Sequence, residues 1–383
     1  MSESTHVYLV SAQATPNITP ATDPRVAPRR VVLVVSPDMR QRAQWLSDVL
    51  RKRGIRVDQW PIEDAWDVEH VQMRVLELLD EERDLVEARD VALNATGGTK
   101  PMSIAAYDAF RAYELPIFYV HPERDRVIWL SPSERPAVDL ENRLTLEPFL
   151  AAHGARVTAL IARDPVSARD IETARDLVKE ISRYSKPLRV LNLLANGAER
   201  KLRSEPMDQR QAADPNLAEL IDRFHAARYL SRDGNCLVFP GEDERFFVNG
   251  GWLELYVFER LQHIRGERRV IQDLGRNVSV ERDTRSGNVP NELDVAVLAE
   301  NRLYVLECKT RGWRGGVNGP GAESLFKLEA LTDLFGGLQA RGMLVSYQEL
   351  PDHDRRRAAD LRIEVCAGRN LQRLDEFLKR WIQ

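Results

Sequence analysis

The 383-residue sequence predicts an α/β protein with an N-terminal doubly wound sheet, a helical connector and a second, C-terminal α/β domain. Three observations lead there. Strand and helix signals alternate through roughly the first 150 residues, as parallel βαβ units require. The pattern turns helical from Asp164 to about Arg232. Strands then return and include two facing segments with acids planted among apolar residues. The units are set at 1–155, 156–235 and 236–383, and two domains are natural for this length.

In the first unit, Val7–Ser11 is a short apolar strand and Arg30–Ser36 (RVVLVVS) is a β-branched run of the kind buried on both faces of a parallel sheet. Arg40–Lys52 repeats Ala43, Leu46, Val49 and Leu50 at helical spacing. A strand at Arg56–Ile62, a helix at Val68–Val86 and a strand at Asp90–Asn94 follow. A helix then opens on Pro101 and runs to Tyr113, before a strand at Pro116–Val120. The middle unit reads as helices Ser167–Tyr184 and Pro215–Tyr229 around a polar loop, Ser204–Asp214. The last unit reads as strands Cys236–Pro240 and Arg245–Val248, a break at Asn249–Gly251, and a helix Trp252–Ile264. Strands Arg269–Leu274, Glu292–Leu298 and Leu303–Glu307 precede a glycine-rich loop at Gly312–Gly321. A helix Ala322–Phe335, strands Gly342–Ser346 and Arg362–Cys366, and a helix Leu371–Ile382 complete it.

The net charge of −4 offers no global basic field, so a nucleic-acid site must be a local patch. Cys236, Cys308 and Cys366 are scattered and odd in number, which fits a reduced cytoplasmic protein and argues against a disulfide framework or zinc. No signal peptide and no apolar run of membrane-spanning length is read, so no membrane partner is expected.

The stretch VPNELDVAVLAENRLYVLECKT reads as a hairpin. With Glu300-Asn301 as its turn, Ala299 faces Arg302, Asp294 faces Glu307 and Glu292 faces Lys309; a four-residue loop gives the same pairs. Side-chain alternation puts Glu292 with Asp294 on one face of the first strand and Glu307 with Lys309 on one face of the second, so that the register brings the two pairs together. Like charges opposed in a sheet core are unfavourable, and a hard divalent cation relieves them. An acid followed on the next strand by acid-x-lysine resembles the PD-(D/E)xK phosphodiesterase core. Asp294 and Glu307 would hold the metal, with Lys309 beside the activated water or the developing charge. A glutamate on the preceding helix often completes that core, and Glu254 is the candidate, with Glu259 a close second. The bland alternative is a hairpin stitched by Glu292–Lys309 and Asp294–Arg302 ion pairs. The loop KTRGWRGGVNGPG adds Arg311, Trp313 and Arg314 amid glycines, which suits phosphate contact and base stacking on single-stranded nucleic acid, or is simply a flexible connection. Lys327 reaches phosphate or sits on a solvated helix face.

The second motif is ALNATGGTKPMSIAAYDAF. Its glycines let backbone N–H groups approach a ligand, and the helix start beyond favours an anion. It matches neither a Walker A loop nor the GxGxxG fingerprint. The first strand also ends in a polar loop, SAQATPN, and ligands of open α/β sheets bind at such strand ends near a switch point.

Together VYLVSAQATPN, LNATGGTKPMS, NGGWLE, NELDV, YVLECKT and FKLEALTDLFGG resemble the CRISPR-associated CARF-domain nucleases of type III systems. The resemblance implies an N-terminal Rossmann-like CARF domain that senses cyclic oligoadenylate, with cyclic tetra-adenylate the expected activator, and a C-terminal restriction-endonuclease-like PD-(D/E)xK domain that cuts nucleic acid. It implies that Ser11, Gln13, Thr15, Asn17, Thr96, Gly97, Gly98, Thr99, Lys100 and Met102 line the ligand pocket, and that Glu254, Asp294, Glu307 and Lys309 form the nuclease centre with Mn2+ or Mg2+. Leu255 departs from the pattern, where a second helix acid is expected. A two-fold-compatible ligand suits a homodimer, and single-stranded DNA or RNA is the expected substrate. Two other readings stand beside this one: a ligand-responsive transcription regulator with a non-catalytic C-terminal domain, and a restriction or repair nuclease without a sensor.

Overall fold

The structure, a computed structural model, describes residues 3–121, 124–161, 166–284, 287–313 and 319–382. Its first sheet comprises β1 (Thr5–Leu9), β2 (Arg30–Val35), β3 (Arg56–Pro61), β4 (Val91–Asn94), β5 (Ile117–His121), β6 (Arg126–Ser131) and β7 (Val138–Asp139), in the order β3-β2-β1-β4-β5-β6-β7. The first five strands are parallel, and β6 and β7 return antiparallel. β1 lies between β2 and β4, so the order of strands reverses beside it. The loops after β1 and β4 therefore meet at a switch point.

The second sheet holds β8 (Ala155–Ile161), β11 (Ile271–Thr284), β12 (Gly287–Ala299), β13 (Arg302–Lys309), β14 (Arg341–Ser346) and β15 (Glu364–Ala367), in the order β15-β14-β13-β12-β11-β8. A small ribbon of β9 (Ser231–Asp233) and β10 (Cys236–Val238) lies apart. The helix Trp252–Glu267 covers one face of this sheet, burying Trp252, Leu253, Val257, Phe258 and Leu261. The helix Pro320–Gly336 covers the other with Leu325, Leu328, Leu331 and Phe335.

Several elements differ from expectation. The unit read as a helical connector from residue 156 begins inside β8, which pairs with β11 of the second sheet. Most side chains of β8 are only partly covered, so it lacks the apolar signature of a core strand. Arg245–Val248 is not a strand. It belongs to the helix Glu242–Phe246 and a wide turn at Phe247–Gly251, because Phe247 and Val248 pack into a helical core and the buried Arg245 donates to the Ala195 carbonyl at 2.9 Å. The connector helix predicted to end at Tyr184 breaks at Glu180, and a second, Ile181–Gly197, follows with Pro187 inside it.

The two sheets share packing. One continuous cluster includes Tyr8 and Leu33 from the first and Leu303 and Phe335 from the second. Polar ties reinforce it: Asn301, at the β12–β13 turn, donates to Asp125 Oδ2 (3.0 Å) and Asn142 Oδ1 (3.2 Å), and the Leu146 N–H donates to Asp273 (2.9 Å).

Candidate functional site

The acid-bearing hairpin forms in the predicted register, with Ala299 opposite Arg302 and Val295 opposite Leu306. Glu300 and Asn301 both adopt positive φ (47° and 55°), as a tight two-residue hairpin turn demands. The ladder stops at Val295–Leu306. Just beyond it, Asp294 Oδ2 accepts the Cys308 backbone N–H at 2.7 Å, which fixes Asp294 beside the acid-x-lysine strand. Glu307 is 2% exposed and takes Lys309 Nζ at 2.5 Å, while Lys327 Nζ lies 3.9 Å from its other oxygen. Lys327, from the helix Pro320–Gly336, is 48% exposed and so stands on a solvated face at the edge of the site.

Glu292 stands at the margin of this group: after burial and Asp294, its charge helps raise the Glu254 carboxyl. Leu293 and Val295 belong to different cores, so the alternation is broken at Asp294. Opposite the break, Asn277 takes φ 50° between the pairs Arg276–Val295 and Val278–Leu293. Glu292 is exposed and paired with Ser279 of β11. The expected shared face of Glu292 and Asp294, and a Glu292–Lys309 pair, give way to the Lys309–Glu307 pair.

Glu254 lies in the first turn of the helix Trp252–Glu267 and lines a cavity of about 420 Å3 with Lys309, Cys308 and Glu323. Glu259 is instead tied to Arg175 at 2.8 Å and to Arg260 at 3.5 Å. Burial, then Asp294, pushes the Glu254 carboxyl well above its usual range. Burial, then Glu307, raises Asp294 likewise. Burial alone would lower Lys309, but Glu307 and Asp294 outweigh it and hold the ammonium charged. The site therefore contains more desolvated negative charge than its lysines neutralise.

The donor set is made of carboxylate oxygens and suits a hard divalent cation. Among the described residues, however, no three His, Cys, Asp or Glu side chains converge closely enough to hold an ion. The expected trio of Asp294, Glu307 and Glu254 is thus not gathered into one closed shell, with Glu307 engaged by Lys309 instead. The fit is to a cation held by one or two carboxylates and completed by water or substrate phosphate, the usual habit of Mg2+. In the sequence Asn249 reads only as part of a chain break and of the NGGWLE segment, with no site role. It lines the same cavity, and its Oδ1 is buried without a hydrogen-bond partner. The legible signal was the Asn-Gly-Gly break: Gly250 sits at φ 133°, where a Cβ would strike the Thr310 hydroxyl at 2.3 Å.

Trp313 is not a free stacking surface. Its indole N–H donates to Ser346 Oγ at 3.1 Å and its ring packs on the core. Arg314 lies outside the described residues.

At the sensor end the two predicted loops meet. Asn94 Nδ2 donates to Asn17 Oδ1 (3.1 Å) and to the Pro16 carbonyl (2.9 Å), and Asn17 Nδ2 donates to the Leu9 carbonyl (3.0 Å). Thr96 Oγ1 donates to Asn94 Oδ1 and accepts the Val120 N–H, while Thr99 caps the helix Lys100–Ala112 and donates to the Ala65 carbonyl. Gly97 lies so close to β1 that a Cβ would meet the Leu9 carbonyl oxygen at 2.0 Å, and Gly98 takes φ 74°. Asn17 and Met102 are each 1% exposed. Asn17, Thr96, Thr99 and Met102 therefore shape the loops more than they face solvent, and Lys100 is the exposed cation beside them. Ser11 and Gln13 open instead onto a cavity of about 320 Å3, shared with Arg42, His153 and, from the second domain, Asp333 and Gly337. Thr15 is half-buried in the short turn that follows.

An open α/β sheet with a loop site at its switch point, joined to a sheet bearing an acid and an acid-x-lysine strand, defines a ligand-sensing phosphodiesterase. Residues 5–149 match the Card1 CARF domain and residues 241–383 the Card1-like endonuclease domain. The chain belongs to this Card1-like family of CARF-domain endonucleases. Protein VC1899 from Vibrio cholerae is 31% identical over 99% of this chain and 97% of its own, with a TM-score of 0.88. Can2 from Sulfobacillus thermosulfidooxidans, solved in complex with cyclic tetra-adenylate, is 26% identical over 99% of both chains, with a TM-score of 0.83. A type III CRISPR defence DNA nuclease activated by cyclic oligoadenylate shares the fold at 20% identity, a TM-score of 0.55, and coverage of 90% of this chain and 45% of its own. No curated protein sequence matches the chain significantly. Among the described residues no helix is long and apolar enough to cross a membrane.

Proposed function

We propose that the protein is a homodimeric, cytoplasmic endonuclease of type III CRISPR antiviral defence, switched on by cyclic tetra-adenylate and cutting single-stranded DNA or RNA with Mg2+ or Mn2+. The observation that carries the chemistry is the hydrogen bond from the Cys308 N–H to Asp294, which brings an acid of β12 against Glu307 and Lys309 of β13. The cyclic ligand is supported by the CARF match and by the Can2 complex.

Asp294 and Glu307 would hold the cation, with Glu254 drawing its water shell. The bound ion would polarise the scissile phosphate and lower the pKa of a water molecule. Lys309 leaves Glu307 for the phosphate oxygens as charge develops there, and Lys327 takes its place beside Glu307. In the sensor, the Gly97–Gly98 backbone and Lys100 meet the phosphates of the ring, with an equivalent loop from a second subunit across the two-fold axis. The connector helices pack into the second domain's core and tie to it through Tyr347–Leu177 and Ser185–Gln348, an arrangement suited to supporting the nuclease rather than to a free-standing DNA reader.

The test is cleavage of labelled single- and double-stranded DNA and RNA with Mg2+ or Mn2+, with and without cyclic tetra-adenylate. Cutting that depends on both cation and ligand, is abolished by Lys309→Ala and is poorly activated in Lys100→Ala is the expected result. Normal cutting by Lys309→Ala would overturn the site; activity indifferent to the ligand would overturn the sensor.

A further inference from the structure

We infer that the outward stripe of the connector helix Ile181–Gly197, together with Arg311, forms the groove that grips the backbone of the single-stranded substrate on its way to the catalytic cavity. The inference rests on the nuclease reading above and assigns a binding surface to a helix that carries no recognised motif.

Lys186, Arg189, Leu193 and Asn196 follow one another at steps of three, four and three residues, so they share one face of the helix. The opposite face buries Tyr184, Leu188, Leu191 and Ala195 in the core of the second domain. The exposed stripe, about 15 Å long at 1.5 Å per residue, lines a cavity of about 510 Å3 with Arg311 and Gly312. The same two loop residues line the cavity that contains Glu254 and Lys309, so the grooves adjoin. Three cations line the connector groove, and its described lining contains no carboxylate. Among the described residues neither Lys186 nor Arg189 enters an ion pair. Both charges are therefore available to phosphate.

The groove is also built firmly. Arg311 donates to Asn196 Oδ1 at 2.7 Å, Asn192 and the Thr310 hydroxyl are joined at 2.9 Å, and Gly312 lies so close to Arg189 that a Cβ would meet its guanidinium Nε at 2.6 Å. Thr310 directly follows the catalytic strand, so the connector holds a fixed relation to Lys309. A row of cations tracking the backbone is the electrostatic half of single-strand binding without sequence preference, and Leu193, 65% exposed, adds apolar surface between them.

The test is fluorescence-anisotropy titration of mixed-sequence 20-mers, one of DNA and one of RNA, onto the full chain with cyclic tetra-adenylate and without divalent metal, across a salt series. In the double variant Lys186→Ala/Arg189→Ala the strand affinity should fall about tenfold, and the log–log salt slope should drop by about 1.4, two phosphate contacts at about 0.7 each. Cleavage should show a raised KM with kcat kept within about twofold, and cyclic tetra-adenylate binding unchanged. Lys186→Glu, at an exposed position, should weaken binding in the same direction, and Leu193→Lys should tighten it. Wild-type affinity and salt slope in the double variant would overturn the groove while leaving the nuclease reading intact. A wild-type chain that neither binds nor cuts any strand would overturn both, and Lys309→Ala, which should bind strands normally without cutting, separates the two.

Discussion

The sensor loops and the catalytic hairpin solve opposite electrostatic problems. At the switch point Asn94, Asn17, Thr96 and Thr99 satisfy one another and the nearby backbone, with Lys100 exposed beside them. At the hairpin, Glu254, Asp294 and Glu307 crowd a desolvated space that Lys309 and Lys327 only partly neutralise. One site is complete without its ligand; the other is left short of positive charge. A settled polar network holds a loop ready for binding, whereas uncompensated carboxylates create affinity for a cation.

The comparison is broken most directly at Lys309. Lys309→Ala should lower the cleavage rate about 100- to 1,000-fold, the scale of losing one charge-stabilising group, and should leave cyclic tetra-adenylate binding untouched in a calorimetric titration. A sensor built on close backbone contact should collapse when Gly97 gains a side chain. Because the obstacle is the Leu9 carbonyl, which cannot swing aside, Gly97→Ala should cost about 2–4 kcal/mol and lower the thermal midpoint by several degrees. The same change made at Gly266, where a Cβ meets nothing within 4 Å, should be mild by the same measurement.

The two regions are joined by Asn301, 2% exposed at the hairpin turn and bonded to Asp125 and Asn142. Asn301→Ala should remove about 2 kcal/mol of stability and reduce the ratio of ligand-stimulated to basal cleavage, since the catalytic hairpin loses its grip on the sensor. Lys100→Ala should weaken cyclic tetra-adenylate about tenfold, the cost of one charge-assisted contact. The smallest effect is expected at Asp125. Burial raises its carboxyl to about 6, Arg302 and Asn301 opposing the rise and Glu300 adding to it. A raised carboxylate favours the folded state below its unfolded pKa and loses that contribution as pH climbs through the folded value. Asp125→Asn should thus melt no later than wild type near pH 4 but slightly later at pH 7.5, as read by thermal unfolding at both pH values.

Much of this was legible from residues alone. The β-branched run at Arg30–Val35 and the helical spacing of Arg40–Lys52 are local patterns, and both elements form where periodicity puts them. The register of the hairpin followed from Glu300-Asn301 and strand alternation. Less was legible where partners come from far along the chain. β8 lacks an apolar run because much of its length is only partly covered, and it becomes a strand by pairing with β11, more than a hundred residues later. Arg245–Val248 is apolar enough for a strand, yet the connector helices it packs against make it a helix end and turn.

Sequence by itself determined which chemistry the chain carries: the acid and acid-x-lysine pattern at Asp294, Glu307 and Lys309, the glycine loop at Thr96–Lys100, and the β-α alternation that places a loop site at a switch point. Those features depend on residue type and short spacing, which local geometry reads directly. Tertiary structure decided which of the charged groups work together. It turned Glu292 out to solvent, gave Glu259 to Arg175, brought Lys327 toward Glu307 and anchored Trp313 to Ser346. The reason is that a charge or ring is committed by its nearest partner in space, and that partner is set by how helices pack on sheets rather than by neighbours in the chain.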